Sequence, residues 1–364
     1  MSIINQKFIF ERTGHIVRNR AVLAAMTNKQ SYENGILSNN EIKWLTRRAK
    51  GGFGIITTAA THVSRDGQGW EGEFGTFDDF HIPGLSELAN NLKQNGAISI
   101  AQIFHAGMRS PQKLTNIQPI SASKNSCEES YSKYSREATE DDIYRLINDF
   151  RDAALRCYKA GFDGIELHGA HGYLISQFLG SKTNRRSDQW GGSIKNRSKF
   201  LIEIIRAIKS KTSKDFLIGV RISPEINKIG IELHDSIALA KILRDECIDF
   251  LHLSCWDSFS PSKCEPDDPR LLTEWFTSTI SDLPPIICTG GVWDNADVQS
   301  VFSQGADFVG VARAGIAHPD WAIEISNQDY KPQKPPFSSL HLEEADLSGK
   351  FIDYMRAWDG FVED

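Results

Sequence analysis

The chain has 364 residues, 40% of them hydrophobic and 24% charged, and its 41 basic and 47 acidic residues give a net charge of −6. These charges are spread along the sequence without a basic block, which argues against a nucleic-acid partner. Residues 1–20 lack the apolar run of a signal peptide, no stretch approaches about 20 consecutive apolar residues, and the six cysteines form no CxxC pair. The composition therefore predicts a soluble cytoplasmic protein with reduced thiols and no membrane partner.

Eight short apolar runs rich in Ile, Val and Phe predict β-strands. They cover residues 21–25, 53–59, 98–104, 164–167, 216–222, 250–253, 285–288 and 307–311. Amphipathic segments of helical length lie between consecutive runs. They cover residues 39–50, 85–95, 140–160, 195–211, 235–246, 269–281 and 295–304. Strand and helix thus alternate along the chain, which implies parallel strands joined by helical connections.

Local signals mark several ends of these elements. Thr139 followed by Asp142 has the pattern of a capping box, and Ser193 is a candidate N-cap for the helix after it. Gly161 and Gly305 follow the last periodic residues of two helices and are expected to end them.

The count of eight strands favours a closed (β/α)8 TIM barrel of the α/β class, because a closed sheet leaves no edge strand to protect. A doubly wound open sheet is the alternative. A barrel of about 250 residues with insertions takes up the whole length, so we expect one domain over residues 1–364. We interpret residues 8–19, 110–137 and 330–364 as an N-terminal lid, a long loop over the site and a C-terminal tail with a helix near residues 343–356.

The residues at the carboxyl ends of the predicted strands are the candidates for chemistry, because a β/α barrel carries its active site there. Most of these ends are polar. In chain order they contain Met26 and Thr27, Gln102 and His105, His168 with His171 and Tyr173, Arg221, Thr289 with Gly290 and Gly291, and Ala312 with Arg313.

The ends of the seventh and eighth strands commonly form a phosphate site in this fold. Gly290 and Gly291 allow backbone N–H groups to approach phosphate oxygens, and Arg313 supplies a fork of donors. The alternative interpretation is a tight turn and a surface salt bridge. The position of these residues in the chain favours a phosphorylated ligand.

Two other patterns suggest ligands that we do not assign. His168 and His171 can be zinc ligands, but zinc needs further histidine or acidic ligands, and the other strand ends offer amide, hydroxyl and guanidinium groups. We therefore expect no metal. Gly67, Gly69 and Gly72 match the glycine string of dinucleotide folds, but an acidic, turn-like segment follows them where a helix is required.

The motifs together resemble the old yellow enzyme family over nearly the whole chain. The resemblance is carried by Asn19-Arg20 with Ala25-Met26-Thr27, by Gly161 to Leu179 with both histidines, by Asn184 to Arg197, by Thr289-Gly290-Gly291, and by Ala312-Arg313 before His318-Pro319. Members of this family are FMN-binding barrels that reduce activated alkenes with electrons from NADPH or NADH. The resemblance therefore implies a non-covalently but tightly bound FMN, a nicotinamide electron donor and an electron-poor alkene as the substrate.

The resemblance also assigns cofactor contacts to individual positions. Thr27 would contact the carbonyl edge of the flavin, with Ala25, Met26 and Ala60 lining the ring. Gln102 would bond the pyrimidine end, and Arg221 would lie beside it, where positive charge favours the reduced anionic cofactor. Gly290, Gly291, Ala312 and Arg313 would hold the phosphate.

The catalytic residues implied by the resemblance are His168, His171 and Tyr173. The two histidines would bind the substrate by donating hydrogen bonds to its carbonyl oxygen, so that hydride adds to the β-carbon. Tyr173 would then protonate the α-carbon, for which a phenol is a suitable acid.

The sequence leaves several alternative functions open. The chain can be another FMN-barrel oxidoreductase, or a flavin-binding sensor or carrier without alkene turnover. Thr27, Asn28, Lys29 and Trp190 differ from the residues of better-matched branches of the family, so the substrate pocket is not defined. The tail lacks a clear arginine finger for a neighbouring subunit, although Arg356 with Trp358 is a candidate for that part, and a homo-oligomer is neither required nor excluded.

Overall fold

The computed structural model describes residues 2–364, which form a closed barrel of eight parallel strands. The strands are β1 Ala21–Leu23, β2 Ile55–Thr57, β3 Ile98–Phe104, β4 Gly164–Gly169, β5 Leu217–Ile222, β6 Phe250–Ser254, β7 Ile286–Thr289 and β8 Phe308–Val311. Each strand pairs with the next in the chain, and β8 pairs with β1 to close the barrel. The predicted TIM barrel is confirmed.

Helices between the strands form the outer layer of the barrel. They are α1 Asn39–Lys50, α2 Ile82–Gln94, α3 Glu140–Lys159, α4 Lys199–Lys209, α5 Leu233–Asp245, α6 Leu272–Thr279 and α7 Asn295–Ser303. The capping box at the start of α3 is confirmed, since Thr139 Oγ1 accepts from the Asp142 N–H at 3.1 Å and the Asp142 carboxylate accepts from the Thr139 N–H at 2.8 Å.

Two predicted helices are each divided in the structure. Residues 195–211 contain the short helix Ile194–Arg197 and then α4, and at the junction Ser198 Oγ donates to the carbonyl of Lys195 at 2.9 Å. The single helix predicted near residues 343–356 is replaced by Ser339–Glu344 and Gly349–Arg356. Between these, Asp346 has a left-handed φ of 62°, which the α-helix does not allow.

The N-terminal segment closes the end of the barrel opposite the strand carboxyl ends. Its two strands, Phe8–Ile9 and Ile16–Val17, form an antiparallel hairpin. Phe10 packs among apolar side chains at the starts of the barrel strands, and its ring lies 5.9 Å from that of Phe308. The predicted lid is therefore a plug in the floor of the barrel.

The long loop over residues 110–137 packs beside the carboxyl end of β4. Asn125 is its main anchor, because its Nδ2 donates to the Thr183 carbonyl at 2.9 Å and its Oδ1 accepts from Arg185 at 2.7 Å. The contacts of Asn125 therefore join the loop to the segment that follows β4. In the described part of the chain, no helix is both long and apolar enough to cross a membrane.

The plug should make a measurable contribution to stability. Phe10 is 3% exposed, so Phe10→Ala should lower the free energy of unfolding by about 3–5 kcal/mol, because it leaves a cavity in the floor. Ile9 lies on the outer face of the same hairpin and is 55% exposed, so Ile9→Ala should change the free energy of unfolding by less than about 0.5 kcal/mol. Urea unfolding of both variants tests this, and equal losses would contradict the assignment of the plug.

Candidate active site

The turn after β4 brings three predicted catalytic side chains together. His168 lies within β4, and His171 and Gly172 then both take left-handed backbone angles, with φ values of 61° and 77°. This reversal places the ring of His168 4.9 Å from that of His171 and 5.0 Å from that of Tyr173, measured between ring centroids. All three side chains therefore belong to one cleft.

The hydrogen bonds of His168 determine which of its ring nitrogens can donate. Its Nδ1 accepts from the backbone N–H of Ala170 at 3.3 Å. Burial, the neighbouring His171 and the charge of Arg221 hold the pKa of His168 well below its ordinary value, so the ring is neutral. A neutral imidazole that accepts at Nδ1 carries its proton on Nε2, which makes this nitrogen a donor.

His171 is oriented by a short polar chain from β5 and β6. Arg221 Nη2 donates to Ser254 Oγ at 3.0 Å, and this oxygen lies 2.8 Å from Nε2 of His171. Among the described residues His171 Nε2 is the only acceptor that Ser254 Oγ bonds, so the hydroxyl proton is directed to it, which leaves the ring proton on Nδ1. Crowding by protein atoms and the charge of Arg221 lower the pKa of His171, although part of the residue faces the open cleft. Both histidines are thus neutral donors.

Tyr173 is half-buried beside a guanidinium group. The Arg109 guanidinium lies 4.5 Å from the centre of the Tyr173 ring, and its Nη1 donates to the carbonyl of His171 at 2.8 Å. Burial raises the pKa of the Tyr173 phenol, although Arg109 opposes this effect. The raised pKa keeps the phenol protonated, and within residues 2–364 its hydroxyl has no hydrogen-bond acceptor.

The predicted ring contacts lie at the inner end of the cleft. Arg221 is buried, and its Nη1 donates to the carbonyl of Ala25 at 3.2 Å. Because this carbonyl bonds to a side chain and not to a neighbouring strand, β1 ends at Leu23 and not at residue 25 as predicted. Met26 and Thr27 follow Ala25 and are part-buried. In the described residues, Nε of Arg221 is buried without a hydrogen-bond partner, so this arginine has a donor left for an acceptor on a ligand.

Gln102 and Ala60 complete this part of the wall. Gln102 is buried on β3, and its Nε2 donates to Glu166 at 2.6 Å. Ala60 packs with Phe104, Trp70 and Tyr173 in a small apolar cluster. The predicted ring contacts and catalytic residues therefore lie together around the mouth of the barrel.

The predicted phosphate residues lie where β7 and β8 end. A side chain at Gly290 would place its Cβ 2.4 Å from the Cys255 carbonyl oxygen, so packing alone requires this glycine. Gly291 has a φ of 75°, which favours glycine as well. Arg313 begins the short helix Arg313–Ala317 directly after Ala312, is exposed, and makes no salt bridge to any described residue. The salt-bridge alternative is thus not found there, and the guanidinium is available to an anion.

Several residues at the site were not predicted. The Trp70 ring lies 5.2 Å from that of Phe104 and 6.3 Å from that of Tyr173. Tyr354 comes from the C-terminal helix Gly349–Arg356 and lies beside Thr27, with the Lys29 ammonium 5.0 Å from its ring. The signal for Trp70 was its position inside the rejected glycine string, while Tyr354 had no local signal.

The glycine string and two uncertain positions have structural explanations. Glu73 folds the glycine loop, since its carboxylate accepts from the Gly69 N–H at 2.9 Å, and no helix follows Gly72 before residue 79. Trp190 is buried against Tyr144. Arg356 bonds to Asp353, Asp364 and Ser339 of its own chain, which does not favour the role of an arginine finger.

Comparison with known proteins places this site in a family. The sequence profile of the NADH:flavin oxidoreductase / NADH oxidase family matches residues 13–331. The chain belongs to this family, the old yellow enzyme family. Membership makes it an FMN-dependent oxidoreductase that takes electrons from NADH or NADPH and acts on a small molecule.

Individual relatives support the assignment. The probable NADH-dependent flavin oxidoreductase YqiG of Bacillus subtilis is 32% identical over 319 residues, which are 86% of this chain and 85% of that protein. NADH:acrylate oxidoreductase of Vibrio harveyi is 33% identical over 90% of this chain, which spans only 34% of that longer protein. The structure of an old yellow enzyme homologue from Zymomonas mobilis shares the fold, with a TM-score of 0.82 at 24% identity, covering 97% of this chain and 99% of that one.

The derived tautomers can be observed directly. In two-bond ¹H–¹⁵N spectra of the wild type, His168 should appear as the Nε2–H form and His171 as the Nδ1–H form, unchanged from pH 8 to pH 6, because both pKa values are lowered. Ser254→Ala should leave His168 unchanged and convert His171 to a mixture of tautomers. A His171 ring that becomes doubly protonated above pH 6 would contradict this description.

Proposed function

We propose that this protein is an ene-reductase that reduces the activated C=C bond of α,β-unsaturated carbonyl or related compounds. The observation that carries the proposal is the convergence of two neutral imidazole donors and one protonated phenol on a single cleft. An NADH:acrylate oxidoreductase among the relatives supports this substrate class. We also propose that residues 1–364 act as one FMN-binding domain.

The proposed contacts to FMN fall into two groups, one for the ring and one for the phosphate. Gln102 and the spare Nε donor of Arg221 would bind the pyrimidine edge of FMN, with Ala25, Met26, Thr27 and Ala60 against the ring. The backbone of Gly290, Gly291 and Ala312, together with the side chain of Arg313, would bind the phosphate. When bound, FMN accepts hydride from NADPH or NADH and delivers it to the alkene.

The histidines and Tyr173 would divide the remaining chemistry between them. Nε2–H of His168 and Nδ1–H of His171 would donate to the substrate carbonyl oxygen, which withdraws electron density from the double bond. The negative charge that develops on this oxygen would then be stabilised by two N–H donors that are already present in the neutral rings. Tyr173 would transfer its phenolic proton to the α-carbon and recover it from water.

A flavin-binding carrier or sensor is the second candidate function, and another FMN-barrel oxidoreductase is the third. A carrier needs contacts to the ring and phosphate, but it has no use for two oriented imidazole donors and a protonated phenol beside them. The tautomers derived for His168 and His171 therefore favour turnover of a carbonyl substrate over storage of the cofactor.

The role of Tyr173 predicts a defect confined to one half-reaction. In anaerobic stopped-flow experiments, Tyr173→Phe should be reduced by NADPH or NADH at close to the wild-type rate. Its reoxidation by cyclohexenone should be slower by about 10²–10⁴-fold, because the general acid is lost. Tyr144→Phe, on the outer face of α3, is the matched control and should behave as the wild type. If flavin is reduced but no alkene reoxidises wild-type protein, the carrier or another oxidoreductase is favoured.

The phosphate contact predicts selective loss of affinity. Arg313→Ala should raise the Kd of FMN about tenfold or more, because a charge-assisted hydrogen bond to phosphate is lost. Its Kd for riboflavin, which has the same ring and no phosphate, should not change. Fluorescence titration of the apoprotein measures both constants, and an equal effect on the two ligands would place the phosphate elsewhere.

A further inference from the structure

A buried polar chain runs from Gln102, one of the proposed cofactor contacts, across the barrel interior. Gln102 Nε2 donates to one oxygen of Glu166 at 2.6 Å, and the other oxygen lies 2.6 Å from Nδ1 of His252. Nε2 of the same histidine lies 2.7 Å from Thr289 Oγ1. The chain therefore joins β3, β4, β6 and β7, and Gln102, Glu166 and His252 are at most 1% exposed.

A charge in this position needs an explanation, because the floor below it is apolar. A buried carboxylate without partners is strongly disfavoured, and an apolar side chain at the same place would fill the barrel at lower cost. Burial raises the pKa of Glu166, but the hydrogen bonds from His252 and Gln102 and the charge of Arg221 lower it, and its pKa lies below its ordinary value. Glu166 is thus held as an anion by its neighbours.

The protons of this chain have one consistent arrangement. Burial lowers the pKa of His252, so its ring is neutral and donates from Nδ1 to Glu166 while Nε2 accepts the Thr289 hydroxyl proton. The Glu166 carboxylate accepts from Gln102 Nε2. This bond holds the amide nitrogen of Gln102 toward Glu166, so the amide oxygen points away from the carboxylate. The carboxylate therefore defines which end of the Gln102 amide is available to a ligand.

Glu166 also lies close to the arginine of the site. Arg221 is paired in register with His252 on β6 and with His168 on β4, and Glu166 lies two residues before His168, on the same face of β4. The charge of Glu166 raises the pKa of Arg221 against the effect of burial, and it offsets part of the field of the guanidinium because screening by water is weak in the barrel interior.

We propose that Glu166 is a positioning residue that fixes the polarity of the Gln102 amide and partly neutralises Arg221, so that it sets the relative affinity of the site for oxidised and reduced flavin. His252 and Thr289 hold Glu166 in place from the opposite side. This inference rests on the proposed binding of FMN at Gln102 and Arg221, and it concerns residues that do not themselves touch the ligand.

The test compares three variants reconstituted with FMN. Glu166→Gln keeps the shape and can keep its hydrogen bonds if His252 changes tautomer, but it removes the charge. It should bind reduced relative to oxidised FMN about tenfold more tightly, which raises the midpoint potential by about 30 mV for a two-electron couple. Glu166→Asp keeps the charge and should stay near the wild-type potential. Asp163→Asn removes a carboxylate at the floor end of β4 and is the matched control.

Spectroelectrochemistry gives the potentials, and thermal unfolding of the apoproteins separates a change of potential from a loss of stability. A Glu166→Gln potential equal to that of wild type, or a shift as large in Asp163→Asn, would overturn the proposal. If the wild type binds no FMN, the proposed function fails. The part of the inference that does not need FMN, the fixing of the Gln102 amide by Glu166, is then decided on apoprotein: the side-chain amide protons of Gln102 should exchange more slowly with solvent in the wild type than in Glu166→Gln, and equal exchange would overturn it.

Discussion

The buried guanidinium of Arg221 is the constraint on which the rest of the site depends. Its two terminal nitrogens donate to the carbonyl of Ala25 and to Ser254 Oγ, so one side chain on β5 joins the ends of β1 and β6. Burying a cation is costly unless its donors are used, and the barrel supplies two acceptors and the nearby charge of Glu166. The remaining Nε donor gives the mouth of the barrel a preference for a ligand with an acceptor edge.

The same cation determines the chemistry of the adjacent histidines. Arg221 opposes protonation of His168 and His171, which burial and crowding already disfavour. A doubly protonated ring would donate from both nitrogens without selectivity, whereas a neutral ring donates from the nitrogen that its other hydrogen bond leaves protonated. Because Ala170 and Ser254 bond the other nitrogens, the backbone just after β4 and the end of β6 decide which ring nitrogens can donate to a carbonyl oxygen.

Much of this arrangement could be predicted from the sequence, for identifiable reasons. The alternation of short apolar runs with amphipathic segments predicts a parallel barrel, and the barrel in turn places strand ends such as His168 and Arg221 in one cleft. Glu166 and His252 were missed because each lies inside a strand, where the pattern predicts only that the strand exists. Ser254 directly follows the predicted run 250–253, but a single serine there carries no pattern of its own. Which polar side chains face one another across the barrel depends on strand register, which periodicity does not specify.

Errors at the ends of elements have a similar origin. β1 ends at Leu23 because the Ala25 carbonyl turns toward Arg221, about two hundred residues away in the chain. Tyr354 enters the site from a helix near the C-terminus, and its position depends on how that helix packs on the barrel. Contacts made across such sequence distances leave no local pattern from which they can be predicted.

The measurement that tests the account most directly is a crystal structure of the protein loaded with FMN. The account predicts the pyrimidine edge of the ring at Gln102 and Arg221, with Nε of Arg221 bonded to it, and the phosphate at Gly291 and Arg313. His168, His171 and Tyr173 should then face the exposed side of the ring. A phosphate bound at another strand end, or a ring that leaves Arg221 Nε without an acceptor, would contradict the account.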